Sequence, residues 1–218
     1  MSTFITITRT FSEQVYIMNK WLNETELEGE LVRLIPLQKQ HQAALINAAS
    51  DGNLWDLWFT SVPSKETVDS YVDFALEEAK NDRALPFVVI NKSTDTIIGS
   101  TRFCNATPKH NRLEIGYTWY GKTYQKTGVN TECKYLLLTH AFESLNCIAV
   151  EFRTHWHNIV SRNAIARLGA KQDGILRNHQ IDAEGRLRDT VVFSILREEW
   201  PVIKKSLQYK MTKGNSRD

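Results

Sequence analysis

The stretch LEIGYTWYGKTYQKTGVN, residues 113–130, decides how the rest of the chain is interpreted, because a β-rich run passes there into a helix. Residues 113–120 are predicted as a strand, and residues 125–130 open the helix. The first N–H groups of a helix lack partners within it and lie at its positive end, so they can bind phosphate. Gly128 lets a ligand approach the backbone, and Lys126 adds a mobile charge. By itself the hexapeptide favours an ordinary glycine turn, since it matches neither the P-loop nor the GxGxxG pattern.

Outward from this segment, hydrophobic spacing predicts helices mixed with strands. Before it we expect a strand at residues 31–37, a helix at 38–50, a second helix with Ser64 as N-cap, and a hairpin of residues 85–90 and 96–104. The spacing of the second helix puts its apolar residues on one face: Val68, Tyr71, Val72, Ala75, Leu76 and Ala79. After it we expect a helix around residues 133–141, a strand at 148–155, a helix at 161–168 ended by Gly169, strands at 171–181 and 187–196, and a helix from Glu198. This order lacks the strict alternation of a doubly wound fold and indicates an α+β domain with a largely antiparallel sheet.

Bulk composition narrows the function classes. The 218 residues carry a formal net charge of +2 and a pI of about 8.4, too mild a balance for a nucleic-acid-binding face. No apolar run approaches the roughly 20 residues that span a bilayer, so no membrane partner is expected. Cys104, Cys133 and Cys147 form neither a CxxC pair nor a zinc-ligand set, which favours a reducing cytoplasm and no metal.

No repeat or linker divides the chain, and we expect a single domain at residues 27–208, an N-terminal extension at 1–26 and a C-terminal tail at 209–218. The first 17 residues lack a compact apolar block with a cleavage site, so a secretory signal is not expected. A transit peptide stays an alternative there, a tail without a role is favoured, and Met18 could be the true start.

Downstream motifs change the interpretation of the glycine turn. Asn158, Ser161, Ile165 and Gly169 fall in the pattern N-x-x-S-x-x-A-I-x-x-L-G, and the phrases GVNTECKYLLL, RTHWHN, LGAKQDGILRNH and EGRLRDTVVFSILREEW occur in order around it. From about residue 27 to residue 207 the chain resembles the GNAT superfamily of acyl-CoA N-acyltransferases, in particular its RimJ/RimL type of ribosomal-protein N-terminal acetyltransferases. The resemblance implies a central, mostly antiparallel twisted sheet of about seven strands flanked by helices. It also implies acetyl transfer from acetyl-CoA, as co-substrate, to a primary amine.

The resemblance implies cofactor-binding roles for two groups of residues. Backbone amides of one group would cradle the CoA pyrophosphate: Gln125, Lys126, Thr127, Gly128, Val129 and Asn130. Thr118 and Trp119 would pair with the pantetheine arm and hold the thioester carbonyl, and Asn158 would contact the CoA arm. The chain departs from the family pattern at Asn130, where many members have glycine or alanine. It departs again at Ile165, which replaces the tyrosine that many members use as general acid.

Two side chains are candidates for proton transfer. Glu114 is the candidate base, on the strand that would border the thioester, with its side chain opposite to that of Ile115. An ion pair between Glu114 and Arg112 or Arg153 is an almost equal alternative. Ser161 is the candidate acid or thiolate-stabilising donor, and its alternative is a hydroxyl bonded back to its own helix.

The acceptor region is predicted from Trp55, Trp58 and Phe59, which the family would place beside the acceptor pocket, although core packing of these aromatics is at least as well favoured. His155 and His157 are expected to pack together and not to bind metal, because no matched third and fourth ligands are evident. The favoured acceptor is a protein N-terminal α-amino group. A small amine (polyamine, amino acid or drug) and a non-catalytic acyl-CoA-binding module stay as alternatives, and the chain is expected to be a monomer or homodimer.

Overall fold

The strands described in the computed structural model, which covers residues 20–182 and 184–214, join into one sheet of eight in the order β1-β2-β3-β4-β5-β6-β8-β7. Their bounds are β1 Leu27–Glu28, β2 Val32–Pro36, β3 Leu85–Asn91, β4 Thr96–Thr107, β5 Arg112–Tyr120, β6 Ala149–His155, β7 Lys171–Ile181 and β8 Leu187–Leu196. All neighbours are antiparallel except β5 and β6. The predicted α+β class and mostly antiparallel sheet are confirmed. The sheet exceeds the expected seven strands because short β1 pairs with β2.

Five α-helices cover the sheet within the described residues: α1 Gln42–Ser50, α2 Val68–Lys80, α3 Val129–Thr139, α4 Ile159–Leu168 and α5 Trp200–Gly214. The predicted starts of α1 and α5, at residues 38 and 198, are too early because 3₁₀ turns at Lys39–His41 and Arg197–Glu199 precede these helices. The predicted start of α4 at residue 161 is too late, since the helix begins at Ile159. Ser64 is not the N-cap of α2, which begins one turn later. The Ser64 hydroxyl instead binds the Glu66 carboxylate at 2.6 Å, and its carbonyl accepts the N–H of Val68.

Two apolar clusters lie on opposite faces of the sheet. One contains residues of α3, α4 and α5, such as Leu137 and Leu168, packed against β-strand side chains. The other contains residues of α1 and α2, including Val72 from the predicted apolar face of α2. The sheet is therefore the middle of three layers, and a side chain in the middle of a central strand is buried whichever face it points to.

The sheet opens between β5 and β6. The two strands pair at three successive positions, the last of which joins Glu114 to Glu151, although each strand continues beyond it. On its other side β5 carries a bulge: Arg102 pairs with Gly116 and Ser100 with Trp119, so two residues of β5 oppose one of β4. Bulges bend a strand and redirect its side chains. The unpaired ends of β5 and β6 therefore form a slot through the middle of the sheet.

The described chain packs onto this domain from its first residues. Backbone N–H groups of Trp21 and Leu22 both donate to the Asp82 carboxylate at 2.8 Å, and Leu22 is buried in the core. The domain boundary at residue 27 stays a prediction, as do the expectations about residues 1–17, which lie outside the described residues. None of the helices in the described part of the chain is long and apolar enough to cross a membrane.

Candidate active site

The predicted cofactor loop lies at the surface, where β5 leads into α3. Residues 125–128 are all exposed, and Val129 begins the helix. The Gln125 side chain donates to the Tyr120 carbonyl at 2.9 Å, which holds the loop against the end of β5. Lys126 adopts a left-handed backbone conformation with φ of +60°, and Gln125 before it is extended. The loop is thus exposed and open to a ligand.

The start of α3 has unused donors. Within the described residues, no hydrogen bond uses the backbone N–H of Asn130 or Thr131, while Val129 donates to the Thr127 hydroxyl at 3.3 Å. Unused N–H groups at the positive end of a helix bind phosphate oxygens. A Cβ added at Gly128 would lie 3.0 Å from a methyl of Leu31, so the glycine also allows α3 to pack against the β1–β2 turn.

A buried carboxylate fixes the helix in this position. Glu132, in the first turn of α3, accepts backbone N–H bonds from Glu30, Leu31 and Val32 at 2.8–2.9 Å. A Cβ at Gly29 would lie 2.4 Å from the carboxyl carbon of Glu132, so a side chain at residue 29 is excluded. Sequence reasoning missed this anchor, although an acid in the first turn of a helix is a favourable placement.

On the α3 face of the bulge lies a second group that sequence reasoning missed. The Lys134 ammonium is buried and donates to the Thr118 hydroxyl at 2.6 Å, and that hydroxyl lies 2.8 Å from the hydroxyl of Thr101. Burial lowers the pKa of Lys134 to about 8. The signal was present in the sequence: Lys134, Leu137 and Leu138 follow i, i+3, i+4 spacing, so the lysine falls on the apolar stripe of α3.

The remaining predicted cofactor residues lie on β5 beyond its pairing with β6 and at the start of α4. Trp119 is buried among α1 and α2 residues, and its indole N–H donates to the Tyr71 hydroxyl at 3.3 Å, so only its backbone is open to a ligand. Asn158 caps α4 by accepting the Ser161 N–H at 3.0 Å. The Ser161 hydroxyl makes no hydrogen bond to its own helix or elsewhere in the described residues, contrary to the alternative considered for it.

The Glu114 side chain points to the opposite face of the sheet from that of Ile115, as predicted. Ile115 packs into the apolar cluster of α3, α4 and α5, called the α3 cluster below. The Glu114 carboxylate is buried, accepts the Asn105 amide at 2.7 Å and lies 3.6 Å from the Arg153 guanidinium. Burial is the main influence and raises its pKa, against the lowering effects of Asn105 and Arg153. Arg112 pairs with Glu151 instead, at 2.6 Å.

A cleft of about 190 Å³ lies beside Glu114 on this face, and its lining includes Asn105, Arg112, Glu114, Glu151 and Arg153. Gly116 provides the space above the carboxylate: a Cβ there would lie 3.1 Å from both the Glu114 Oε1 and the Cys104 Sγ. Glu114 is therefore buried and in a long ion pair with Arg153, as the alternative held for that arginine, and its raised pKa makes it a stronger base than a solvated carboxylate.

The three predicted aromatic residues of the acceptor region separate in the structure. Trp55 packs against the α1–α2 core, as the alternative held. Trp58 is 54% exposed, and its ring lies 5.5 Å from Phe59 and 4.9 Å from His155 at the end of β6. The guanidinium of Arg186, from the β7–β8 turn, lies 5.6 Å from the Trp58 ring. Trp58 thus connects three elements at the mouth of the slot.

His155 and His157 pack as expected. Their rings are 5.6 Å apart, and the His157 backbone N–H donates to the His155 Nδ1 at 3.0 Å. Among the described residues, no group of three His, Cys, Asp or Glu side chains could hold a metal ion.

Comparison with known proteins agrees with this geometry. Residues 32–171 match the family model of the acetyltransferase (GNAT) domain. The uncharacterised N-acetyltransferase p20 of Bacillus licheniformis is 31% identical over 143 residues, which is 65% of this chain and 77% of that protein. A crystal structure of a GCN5-related N-acetyltransferase from Brucella melitensis has 31% identity and a TM-score of 0.79, covering 88% of this chain and 87% of its own.

A more distant structure has the same fold. RimJ of Mycobacterium smegmatis, solved in complex with CoA-disulfide, superposes with a TM-score of 0.71 at 22% identity, covering 86% of this chain and 93% of its own. At that identity the likeness concerns the fold alone.

Proposed function

The chain belongs to the GNAT acetyltransferase family, which uses acetyl-CoA, and we propose that it transfers the acetyl group to the α-amino group of a protein N-terminus. The observation that supports this proposal is the slot between β5 and β6. The exposed loop of residues 125–128 lies at one end of it, and the buried Glu114 lies on the sheet face opposite to α3. Sequence resemblance to the RimJ/RimL type supports the choice of acceptor.

In this proposal CoA lies along the slot. The pyrophosphate binds the N–H groups of residues 125–130, and the unpaired edge of β5 around Thr118 and Trp119 pairs with the pantetheine arm, as an added strand would. Asn158 contacts the arm from the start of α4. The acetyl carbonyl then reaches the bulge, and the amine approaches from the face that carries Glu114.

Glu114 accepts the proton from the amine. Its pKa is raised by burial, which makes it a stronger base than a solvated carboxylate. An α-amino group with a pKa of about 7.7–8.0 is within reach of such a base, whereas a lysine at about 10.4 is far harder to deprotonate. The neutral amine forms the new C–N bond, the C–S bond of the thioester breaks, and the nitrogen releases a second proton to water as the amide forms.

The departing CoA thiolate takes up a proton. Ser161, whose hydroxyl is free of other protein partners among the described residues, is one donor in this proposal. The Lys134–Thr118 pair is a second, because Lys134 has a pKa of about 8, close to the roughly 8.5 of an ordinary thiol. Matched pKa values favour proton transfer between donor and acceptor.

The proposed setting is cytoplasmic. Cys104, Cys133 and Cys147 are all free and buried, and burial raises the pKa of Cys133 to about 12. Unpaired, protonated thiols are compatible with a reducing compartment.

An acceptor screen tests the function. Purified protein is incubated with acetyl-CoA and either short peptides with free N-termini, the same peptides with blocked N-termini and an internal lysine, or small amines, while thiol release and product mass are followed. We expect turnover of free N-termini and at least tenfold slower reaction with the blocked set, in line with the amine pKa difference. Turnover of small amines alone would overturn the proposed acceptor.

A further inference from the structure

The middle of β4 contains a fully buried arginine. Arg102 is 1% exposed, and its side chain lies on the sheet face opposite to that of Phe103, which packs in the α3 cluster. The guanidinium carbon lies 3.9 Å from the ring centre of Tyr117, 5.1 Å from that of Tyr71 and 6.0 Å from that of Phe74. The guanidinium is therefore enclosed by three aromatic rings, one on the bulge of β5 and two on α2.

Arg102 has no counter-ion or acceptor among the described residues. Its Nε and both Nη atoms are buried and make no hydrogen bond. Glu78 is near enough for Arg102 to lower its pKa, after the larger effect of Arg83, but its carboxylate pairs with Arg83. Aromatic faces attract a guanidinium but accept few of its five N–H donors. A buried cation without hydrogen-bond partners is strongly unfavourable, so the arrangement lacks a group that would complete it.

Arg102 lies close to Glu114, the proposed base. Arg102 pairs across the sheet with Gly116, and Gly116 borders the Glu114 carboxylate. Arg188 of β8 is a second arginine with a buried, unbonded nitrogen. Burial lowers its pKa, and Glu114 and Tyr117 lie near enough to oppose that effect. Glu114 itself is bonded to Asn105. Two arginines with buried, unbonded nitrogens thus lie near Glu114 on this face of the sheet.

We propose that Arg102 binds a carboxylate carried by the acceptor amine, so that the preferred acceptors are amines with a carboxylate nearby. This inference rests on the proposed function for the position of the acceptor. A planar carboxylate can accept two parallel N–H bonds from one guanidinium, which suits the unbonded edge of Arg102. The carboxylate comes either from an acidic side chain near a peptide N-terminus or from a free amino acid.

The carboxylate reaches Arg102 by displacing the rings that cover it. Tyr117 is 40% exposed and Phe74 51% exposed, and their ring centres are 6.4 Å apart. Tyr117 has a left-handed backbone at the bulge, with φ of +50°. These two rings are the outer wall of the enclosure, whereas Tyr71 is held from within by its bond to Trp119.

Matched acceptor pairs test the proposal. Peptides that begin Ser-Glu and Ser-Gln form one pair, and 4-aminobutyrate and butylamine form the other. We expect the wild type to favour the carboxylate member by about 10- to 100-fold in kcat/KM, the range expected for charged hydrogen bonds. Arg102→Met should lose this preference, so that the two members of each pair react with equal kcat/KM. Arg33→Met, on β2, is the control and should retain the preference.

Thermal unfolding separates binding from structural support. An unpaired buried guanidinium does not stabilise the ligand-free fold, so Arg102→Met should unfold at the wild-type temperature or above. A melting temperature several degrees lower, a wild type without carboxylate preference, or a preference that survives in Arg102→Met would each overturn the inference. If 4-aminobutyrate is preferred over butylamine and no peptide reacts, the proposed N-terminal acceptor fails while the carboxylate site stands.

Discussion

The two faces of the β4–β5 pair at the bulge each hold a buried cation, and they differ in how that cation is satisfied. On the α3 face, the Lys134 ammonium donates to Thr118 at 2.6 Å, and burial lowers its pKa to about 8. On the α2 face, Arg102 is enclosed by aromatic rings without any acceptor among the described residues. Lysine can lose its proton when buried, whereas arginine stays charged.

We propose that this difference separates the recognition of the two substrates. The proposed cofactor side offers backbone N–H groups and a short hydroxyl network, which suit a ligand that is the same in every turnover. The proposed acceptor side offers charged side chains, namely Glu114, Arg102 and Arg188, which would select among amines by their charge. Four predictions test this division, beginning with the largest expected effect.

Glu114→Gln should lower kcat by about 10²–10⁴-fold, the usual loss for a general base. The loss should be greatest at low pH, where the amine is protonated, and should partly recover as pH rises. Glu28→Gln, on β1 and ion-paired with Lys92 away from the cleft, is the control and should lose little activity. Full activity of Glu114→Gln across the pH range with every accepted amine would remove Glu114 from the mechanism.

Gly128→Val should weaken CoA binding by about 10- to 100-fold by crowding the amides that hold the pyrophosphate, measured by calorimetry. Because a Cβ at residue 128 also meets Leu31 at 3.0 Å, the change is made in a Leu31→Ala background as well. Weakened binding in both backgrounds identifies the loss as one of ligand contact. Recovery of affinity in Leu31→Ala would instead assign the effect to helix packing.

Ser161→Ala should reduce kcat by less than the glutamate change, because a CoA thiolate is a tolerable leaving group near neutral pH. The defect should shrink with a thioester whose thiol is more acidic. An equal defect with all thioesters would mean that Ser161 does not assist thiolate departure, and the Lys134–Thr118 pair would remain as the donor.

Lys134→Met should change how stability depends on pH. The folded pKa of about 8 lies below the unfolded value of about 10.4, so the unfolded chain binds more protons between these values and stability rises with pH through that window. Buried thiols such as Cys133 act in the opposite direction, so the variant is compared with wild type at each pH. From pH 7.5 to pH 10, the free energy of unfolding of the wild type should increase relative to that of Lys134→Met by an amount on the order of 1–3 kcal/mol. If the stabilities of Lys134→Met and wild type depend on pH in the same way, Lys134 is not a buried ammonium. Lys205→Met, at an exposed lysine, is the control.

Prediction from sequence succeeded where local spacing sufficed. The bounds of β7 and β8 were predicted to the residue, since β-rich runs flank a clear turn there. The Gly169 C-cap was also predicted, and it adopts the left-handed conformation with φ of +105°. The prediction of Ser64 as N-cap was wrong because a turn at residues 65–67 comes before the helix. In this turn the Thr67 hydroxyl accepts the Ser64 N–H.

The sequence by itself determined the strand–loop–helix segment, the order of elements and the family, because each depends on residues close together in the chain. Tertiary structure alone decided which charges are buried and what they meet. Arg102 and Tyr117 belong to different strands, Tyr71 to a helix before both, and only sheet pairing and helix packing bring them within 5.1 Å of the guanidinium. Burial and pKa depend on the low-dielectric surroundings that distant segments create together, and spacing along the chain contains no measure of that environment.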